Sequence, residues 1–332
     1  MREELTQRLV CPVCHLDLRW EVSRRAGDDL QEATGSCREC RVDYPVHRGV
    51  GAFLTPDRRP QDLWEEADQG LRAFLNEEPA RARRLLESPV ESLNPTDQLV
   101  RGLLQQERQE FGEARRTLER AQTGLYTSAY RSALDHQLRF VREELRGCAG
   151  PVVDLATGMG SLLEFVVPSL AVPCVGTDLS PRVLLRDQRA LEQAGLGARV
   201  SLLAFDARRT PFKDGSVPTL ITNLGLANIE DPAGLLQELR RIVSGRFLAI
   251  TIFYPETEGP NEELIRRLKL EPMLHRESAL RRFRESGFEV RVCNLERALA
   301  RPTPRGEIMS EMQPDRLPVV DEVLEVCTLV AS

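Results

Sequence analysis

The chain has 332 residues, with 51 acidic residues against 45 Lys plus Arg and a formal net charge of −6. That length accommodates two or three domains. The acidic balance argues against nucleic-acid binding over the whole surface but leaves room for a local basic patch. No signal-like leader or long apolar run is evident, so a cytoplasmic protein that does not enter a membrane is expected.

The first pattern along the chain is a pair of C-x2-C knuckles, Cys11-Pro-Val-Cys14 and Cys37-Arg-Glu-Cys40. Each knuckle turns two thiolates toward one point, and two together complete a closed, tetrahedral, structural zinc site. Disulfides are the competing reading, disfavoured in a reducing compartment. His15 and His47 stand nearby as substitute ligands, but four cysteines need no help. Cys148, Cys174, Cys293 and Cys327 are scattered and read as small buried apolar residues. A zinc ribbon is therefore expected over 1–58.

Residues 59–125 read as helical. Leu63, Trp64, Ala67, Leu71, Phe74 and Leu75 repeat at helical spacing, as do Leu99, Leu103 and Leu104, and then Leu118 and Ala121 after Phe111. Pro79, Pro89 and Pro95 punctuate the stretch. The plain expectation is a connector whose apolar face packs on the body. A substrate-shaping insert or a dimer surface is the alternative, and the oligomeric state is not legible.

The third unit, 126–332, alternates strands and helices. Val152, Val153 and Leu155 suit a buried parallel strand. Gly158 and Gly160 supply a tight turn where backbone can approach a ligand. A short helix over Ser161–Leu170 breaks near Pro168, and Val172–Thr177 forms a second strand ending on Asp178. That is the front half of a nucleotide-binding βαβ unit, with the acid placed to accept from both ribose hydroxyls. A dinucleotide site usually carries a third glycine, where this chain has Leu163. A NAD site and a ligand-free glycine turn stay open on this motif alone. Further strands are expected at Arg199–Ala204, Thr219–Thr222, Arg246–Phe253, Phe288–Val292 and Leu324–Val330. Helices are expected from Asp231-Pro232 through Val243 and over Ser278–Ser286.

Asp154-x-x-x-Gly158-x-Gly160 resembles motif I of the class I adenosylmethionine-dependent methyltransferases, with Ala156 where the usual pattern has one more glycine. Asp154-Leu-Ala-Thr-Gly158 is similar to the quinone-biosynthesis C-methyltransferases. Thr210-Pro-Phe-Lys-Asp-Gly-Ser216 resembles the segment that leads into that family's fourth strand, although Pro218 stands where an Asp is common. Val42–Val50, with its Tyr44-Pro45-Val46, resembles the zinc ribbons fused to, or partnering, methyltransferases; Arg48 and Gly51 replace the usual Asp and Pro.

The resemblance implies an α/β fold, a Rossmann-like seven-stranded sheet with adenosylmethionine across the C-terminal strand ends. Asp154, Ala156, Thr157, Gly158 and Gly160 would face its amino-acid end. Asp178 and Leu179 would hold the ribose, and Asp206 and Ala207 would face adenine. Asn223, Leu224 and Tyr130 are further expected contacts, since an aromatic at 126 or 130 often covers the cofactor. Methyl transfer from an activated donor proceeds largely by positioning and desolvation. No general base is named by the sequence; Asn223, Tyr126, Tyr254 and His275 are candidates, against packing, capping or cofactor contact.

The acceptor divides the readings. A small molecule is the choice, as in the quinone-type enzymes. An RNA acceptor is the alternative, because a zinc ribbon followed by this domain resembles the rRNA guanine-N1 methyltransferases. The basic run Arg266, Arg267, Lys269, Arg276, Arg281, Arg282 and Arg284 would then dock RNA. A third reading is an interaction protein whose catalysis is weak or lost. Lys213 and Lys269 are the chain's only lysines, so a Lys-Asp-Lys-Glu tetrad is excluded. Asn223-Leu-Gly-Leu likewise excludes an Asn-Pro-Pro-Tyr amine motif.

Overall fold

A computed structural model describes residues 1–55, 70, 73, 74 and 77–332. Leu63, Trp64, Ala67, Leu71 and Leu75 lie outside the described residues.

The centre is a parallel sheet of β5 (Val152–Asp154), β6 (Cys174–Asp178), β7 (Val200–Ala204), β8 (Val217–Asn223) and β9 (Val243–Phe253). Two antiparallel strands, β10 (Val290–Ala300) and β11 (Glu322–Ala331), complete the seven in the order β7-β6-β5-β8-β9-β11-β10. Val152 and Val153 are fully buried, as a strand covered on both faces requires. The second strand starts at Cys174, two residues later than the hydrophobic run. Pro173 has no N–H to donate, and its carbonyl instead accepts from Val152 at 3.1 Å. The strand expected to stop at Val292 runs on to Ala300. It is the sheet's outer strand, half solvated, so Arg291, Glu296 and Arg297 interrupt the apolar signal without ending it.

The expected seven strands are not the whole sheet. The ribbon contributes β1 (Arg19–Ala26), β2 (Asp29–Cys37), β3 (Val42–His47) and β4 (Val50–Ala52). β4 pairs parallel with β7, Val50 opposite Leu202 and Ala52 opposite Ala204, giving eleven continuous strands. Tyr44 stacks on Phe53 at 5.6 Å inside this joint, and Leu9 bridges to Phe212. The ribbon is thus an extension of the sheet and shares its hydrophobic core.

In the helical segment lie α1 (Pro79–Glu87), α2 (Pro95–Glu107) and α3 (Phe111–Leu125). The body adds α4 (Ser128–Glu144), α5 (Ser161–Val166), α6 (Pro181–Gln193), α7 (Pro232–Ile242), α8 (Pro260–Leu268), α9 (Glu271–Leu274) and α10 (Arg276–Glu285). Asp231 and Pro232 are the N-cap and first residue of α7 as expected; the Asp231 carboxylate accepts from Gly234 N at 3.1 Å. Among the described residues, no helix is long and apolar enough to cross a membrane.

The helical segment is more than a connector. Phe74, Leu85, Val100 and Leu104 share a core with Ile308 and Met309 of the β10–β11 connection. Asp97, 1% exposed, accepts the backbone N–H groups of Glu307, Ile308 and Met309 at 3.0, 2.9 and 2.9 Å. Asn94 Nδ2 donates to Arg305 O, and Thr96 to Pro304 O. Met159, in the glycine turn, packs against the same cluster. The segment and the connection therefore hold each other above the glycine turn.

Candidate functional site

The turn after β5 is built by reciprocal threonines. Thr157 N donates to Thr177 O at 2.7 Å, Thr177 N donates to Thr157 Oγ1 at 2.9 Å, and Thr177 Oγ1 donates to Asp154 O at 2.9 Å. Gly158 and Gly160 take φ of +59° and +73°. Ala156, standing where the family pattern has a glycine, also takes a left-handed φ of +54°, which costs a residue with a Cβ. Gly225 explains why the turn is so tight: a Cβ there would lie 2.9 Å from Ala156 Cβ and 2.7 Å from Thr222 Oγ1.

Three acids stand at three successive strand ends. Asp154 ends β5, Asp178 ends β6 and Asp206 follows β7. Asp178 accepts from Gly158 N at 3.0 Å and from Ser180 N at 3.2 Å, so it also braces the turn. Asp206 is held by Arg208, whose Nε and Nη2 donate to its two oxygens at 2.9 Å each. The sequence reading placed Asp206 toward adenine and overlooked this arginine two residues away. Leu179 and Ala207 lie half-buried beside these acids. Asn223 and Leu224 lie half-buried at the end of β8, and Leu224 N donates to Ile250 O at 3.0 Å.

Asp154 is the exceptional group. It is 1% exposed, and neither carboxylate oxygen has a hydrogen-bond partner. Burial, helped by the nearby Asp187 charge, pushes its carboxyl up to about 8. Asp187 was missed by the sequence reading because on α6 it looks like one more solvated charge. It is 3% exposed, Cγ lies 4.0 Å from where a Cβ on Gly160 would stand, and burial pushes it up to about 7. Arg186 Nε lies 3.6 Å from one of its oxygens while the other is unpaired. Two buried acids with unmet oxygens beside a glycine turn form a place for a cationic group.

The candidate bases separate. His275 Nε2 lies 2.8 Å from Glu262 Oε2 inside the body, and Arg266 Nε is 2.6 Å from the same carboxylate's other oxygen. Tyr126, Tyr130 and Tyr254 gather elsewhere, over the end of β9; burial raises all three phenols well above their usual range. Tyr130 packs among Tyr254, Ile265 and Leu274 rather than over the glycine turn.

At the ribbon, the Sγ atoms of Cys11, Cys14, Cys37 and Cys40 all lie within 4.8 Å of one another, and no disulfide joins them. Tyr44 Oη sits 3.3 Å from Cys11 Sγ, an outer contact to the cluster. His47 faces Glu32 at 3.0 Å, and neither His47 nor His15 belongs to the four-ligand group. Four convergent thiols suit a closed tetrahedral zinc site.

Residues 153–247 match the family described as methyltransferase domain. Over that span the chain is similar to a methyltransferase domain. Its curated relatives include the ubiquinone/menaquinone biosynthesis C-methyltransferase of Geotalea uraniireducens, 28% identical over 34% of this chain and 50% of that protein. Norajmaline N-methyltransferase of Rauvolfia serpentina is 24% identical over 35% of this chain and 40% of that protein. The chain thus spans half or less of the length of these two relatives. Among solved structures, the YcgJ protein of Bacillus subtilis aligns with a TM-score of 0.47 and 16% identity, over 59% of this chain and 97% of that one. The methyltransferase-domain match ends at Phe247 and includes the glycine turn and the three strand-end acids, but neither the ribbon nor the helical segment.

Proposed function

We propose that this chain is an adenosylmethionine-dependent methyltransferase with a small-molecule acceptor and a structural zinc on Cys11, Cys14, Cys37 and Cys40. The observation that carries the reading is the unpartnered, buried Asp154 carboxylate beneath the Gly158–Gly160 turn. A dinucleotide would bring a pyrophosphate to that turn, and its negative charge would oppose any ionisation of the buried acid. Adenosylmethionine brings an ammonium there and supplies a methyl already activated on sulfur. Asp154 would meet the ammonium, with Asp187 adding negative charge behind the turn. Asp178 would take ribose hydroxyls while it keeps Gly158 in place.

The small-molecule choice rests on the packing over the glycine turn, where Met159 meets the helical segment. The 79–125 helices and the β10–β11 connection are locked together above the turn through Asp97. The curated relatives named above carry names of small-molecule methyltransferases. The RNA reading keeps one observation in its favour: Arg267, Lys269, Arg281 and Arg284 are exposed on α8, α10 and the turn after α8. Their neighbours Arg266, Arg276 and Arg282 are each paired with a glutamate.

Calorimetry with adenosylmethionine and with NAD tests the cofactor. Binding of the former is expected to weaken by about 1.5–3 kcal/mol in Asp178→Ala, the range for charge-assisted hydrogen bonds. Binding of NAD in place of adenosylmethionine would reject the reading. Salt-sensitive, micromolar binding of structured RNA, lost in Arg281→Ala/Arg284→Ala, would transfer the acceptor to RNA.

A further inference from the structure

The row of strand-end acids runs Asp154, Asp178, Asp206 along the neighbours β5, β6 and β7, and the next strand in line is the ribbon's β4. The chain leaving β4 continues beside β7 in the same direction. Ala52 stands opposite Ala204, and Phe53 N donates to Ala204 O at 2.7 Å, one residue past β4. Burial keeps a period of two along this stretch: Gly51, Phe53 and Thr55 are buried, Ala52 and Leu54 half-buried. The buried side is that of Leu203, because a Cβ on Gly51 would lie 2.8 Å from the Phe53 ring and 2.9 Å from Leu203 Cδ2. Phe53, Leu203 and Phe205 share one core, and Ala207 packs against it. Thr55 thus follows Phe53 toward the end of β7 where Asp206 and Ala207 stand.

Thr55 is 3% exposed, and among the described residues its Oγ1 has no hydrogen-bond partner. A buried hydroxyl left unpaired is costly. A residue serving the packing alone would do better as valine, which has the same branched shape and no hydroxyl. The surrounding groups show what the hydroxyl could meet. An ionised Asp206 can only accept, which suits an amino group. Arg208 directs Nε and Nη2 to the two oxygens of Asp206. The edge of adenine that carries the amino group also carries ring nitrogens, and these accept. A threonine hydroxyl supplies the donor that a carboxylate lacks.

We propose that Thr55, where the chain leaves the ribbon, is a cofactor-binding residue whose hydroxyl donates to a ring nitrogen of adenine beside the amino group held by Asp206. This rests on the adenosylmethionine reading and adds that the ribbon completes the nucleoside end of the site. Without the ribbon, β7 would be the edge of the sheet, and the adenine end would stand open on that side. The stretch from Phe53 to Thr55 walls it instead, and its last residue brings the unpaired donor.

The test is calorimetry on the full chain with two ligands, adenosylhomocysteine and methylthioadenosine, the second having the nucleoside but no amino-acid end. Thr55→Val is expected to weaken both by the same factor, about three- to tenfold, the worth of one neutral hydrogen bond. Asp154→Asn should weaken adenosylhomocysteine alone, so the two ends of the site are read separately. Thr55→Ser keeps the hydroxyl and should stay within about twofold of wild type. Without ligand, Thr55→Val should melt no lower than wild type, whereas loss of a structural hydrogen bond would lower the melt. Wild-type affinity in Thr55→Val overturns the proposal. So does a loss confined to adenosylhomocysteine, a loss in Thr55→Ser equal to that in Thr55→Val, or a lower melt of ligand-free Thr55→Val. Should Thr55→Val fail to fold, the wild type decides. One of the 1-deaza and 7-deaza analogues of adenosylhomocysteine should bind about three- to tenfold more weakly than the parent, and parent-like binding of both overturns the proposal. A wild-type chain that binds no adenosylhomocysteine is a separate result and would reject the methyltransferase reading itself.

Discussion

Leu163 Cδ1 lies 2.7 Å from the position a Cβ on Gly176 would occupy. The helix after the glycine turn therefore packs on β6 through a large residue on the helix and none on the strand. A dinucleotide fold usually reverses that arrangement, with the small residue on the helix. Leu202 Cδ2, at 2.9 Å from the same point, closes the other side.

Gly176→Ala is accordingly expected to destabilise the protein by about 1–3 kcal/mol, the usual cost of overpacking a core. Chemical denaturation measures it. The double variant Gly176→Ala/Leu163→Ala should recover part of the loss, because the clash is pairwise. An additive double variant would show that the strand glycine serves some other need.

Ala156 invites the opposite change. At φ of +54° it carries a Cβ in a conformation that glycine adopts freely. Ala156→Gly should stabilise the fold by about 0.5–1 kcal/mol, the left-handed penalty less the added backbone entropy of the unfolded chain. A thermal melt with no gain would mean that the Ala156 methyl contributes packing of equal size.

Much of this was legible in the sequence. The order of strands, the glycine turn, Asp178 and the cysteine set follow from short-range patterns: apolar runs, fixed motif spacing, thiol pairs. The misses share a physical cause, which is that long-range partners leave no local period. Asp97 reads as one more acid in an acidic helix until residues 307–309 aim three N–H groups at it. Asp187 sits among Arg182, Arg186 and Arg189 and looks solvated, yet α6 turns it inward. Val50–Ala52 is too short to announce a strand; its partner is β7, some 150 residues away.

The Asp97 clasp predicts a confined effect. Asp97→Ala leaves three N–H groups, two of them buried, without an acceptor and should cost about 2–4 kcal/mol locally. Hydrogen exchange should quicken at Glu307, Ile308 and Met309, and in α2, with β5 to β9 unchanged. Global loss of protection would mean that the helical segment is integral to the main core.

Asp154 should make the ligand-free protein less stable as pH rises. Below about pH 4 the folded and unfolded chains both hold the proton, so the group contributes nothing. Above its ordinary value of 3.8 the unfolded chain releases the proton while the fold retains it until about 8. Stability therefore falls across that window, and Asp187 adds to the fall up to about 7. Asp154→Asn should leave the melting temperature unchanged at pH 4 and raise it at pH 8. The gain should be on the order of 1–3 kcal/mol, less than the full shift implies because water and ions relax the site. Circular-dichroism melts across the window check it. Equal melting curves at pH 8 would show that the folded protein already holds Asp154 ionised, with a partner.

Metal removal should reach beyond the ribbon. The knuckles hold β2 and β3 in place, β3 carries β4, and β4 pairs with β7, where Phe53 N also donates to Ala204 O at 2.7 Å. A ribbon of this size has little core without its ion. A chelator, or Cys11→Ser with Cys37→Ser, should therefore release amide protection over Val42–Phe53 and also at Leu202–Ala204. β9 to β11, on the far side of the sheet, should stay protected. β7 would then become an exposed parallel edge, and the stripped protein should aggregate at concentrations where the metal-bound form does not. Elemental analysis of protein purified without chelator should return one zinc per chain. Zinc loss with β7 protection intact would mean that Tyr44, Phe53 and Leu9 hold the joint by packing alone.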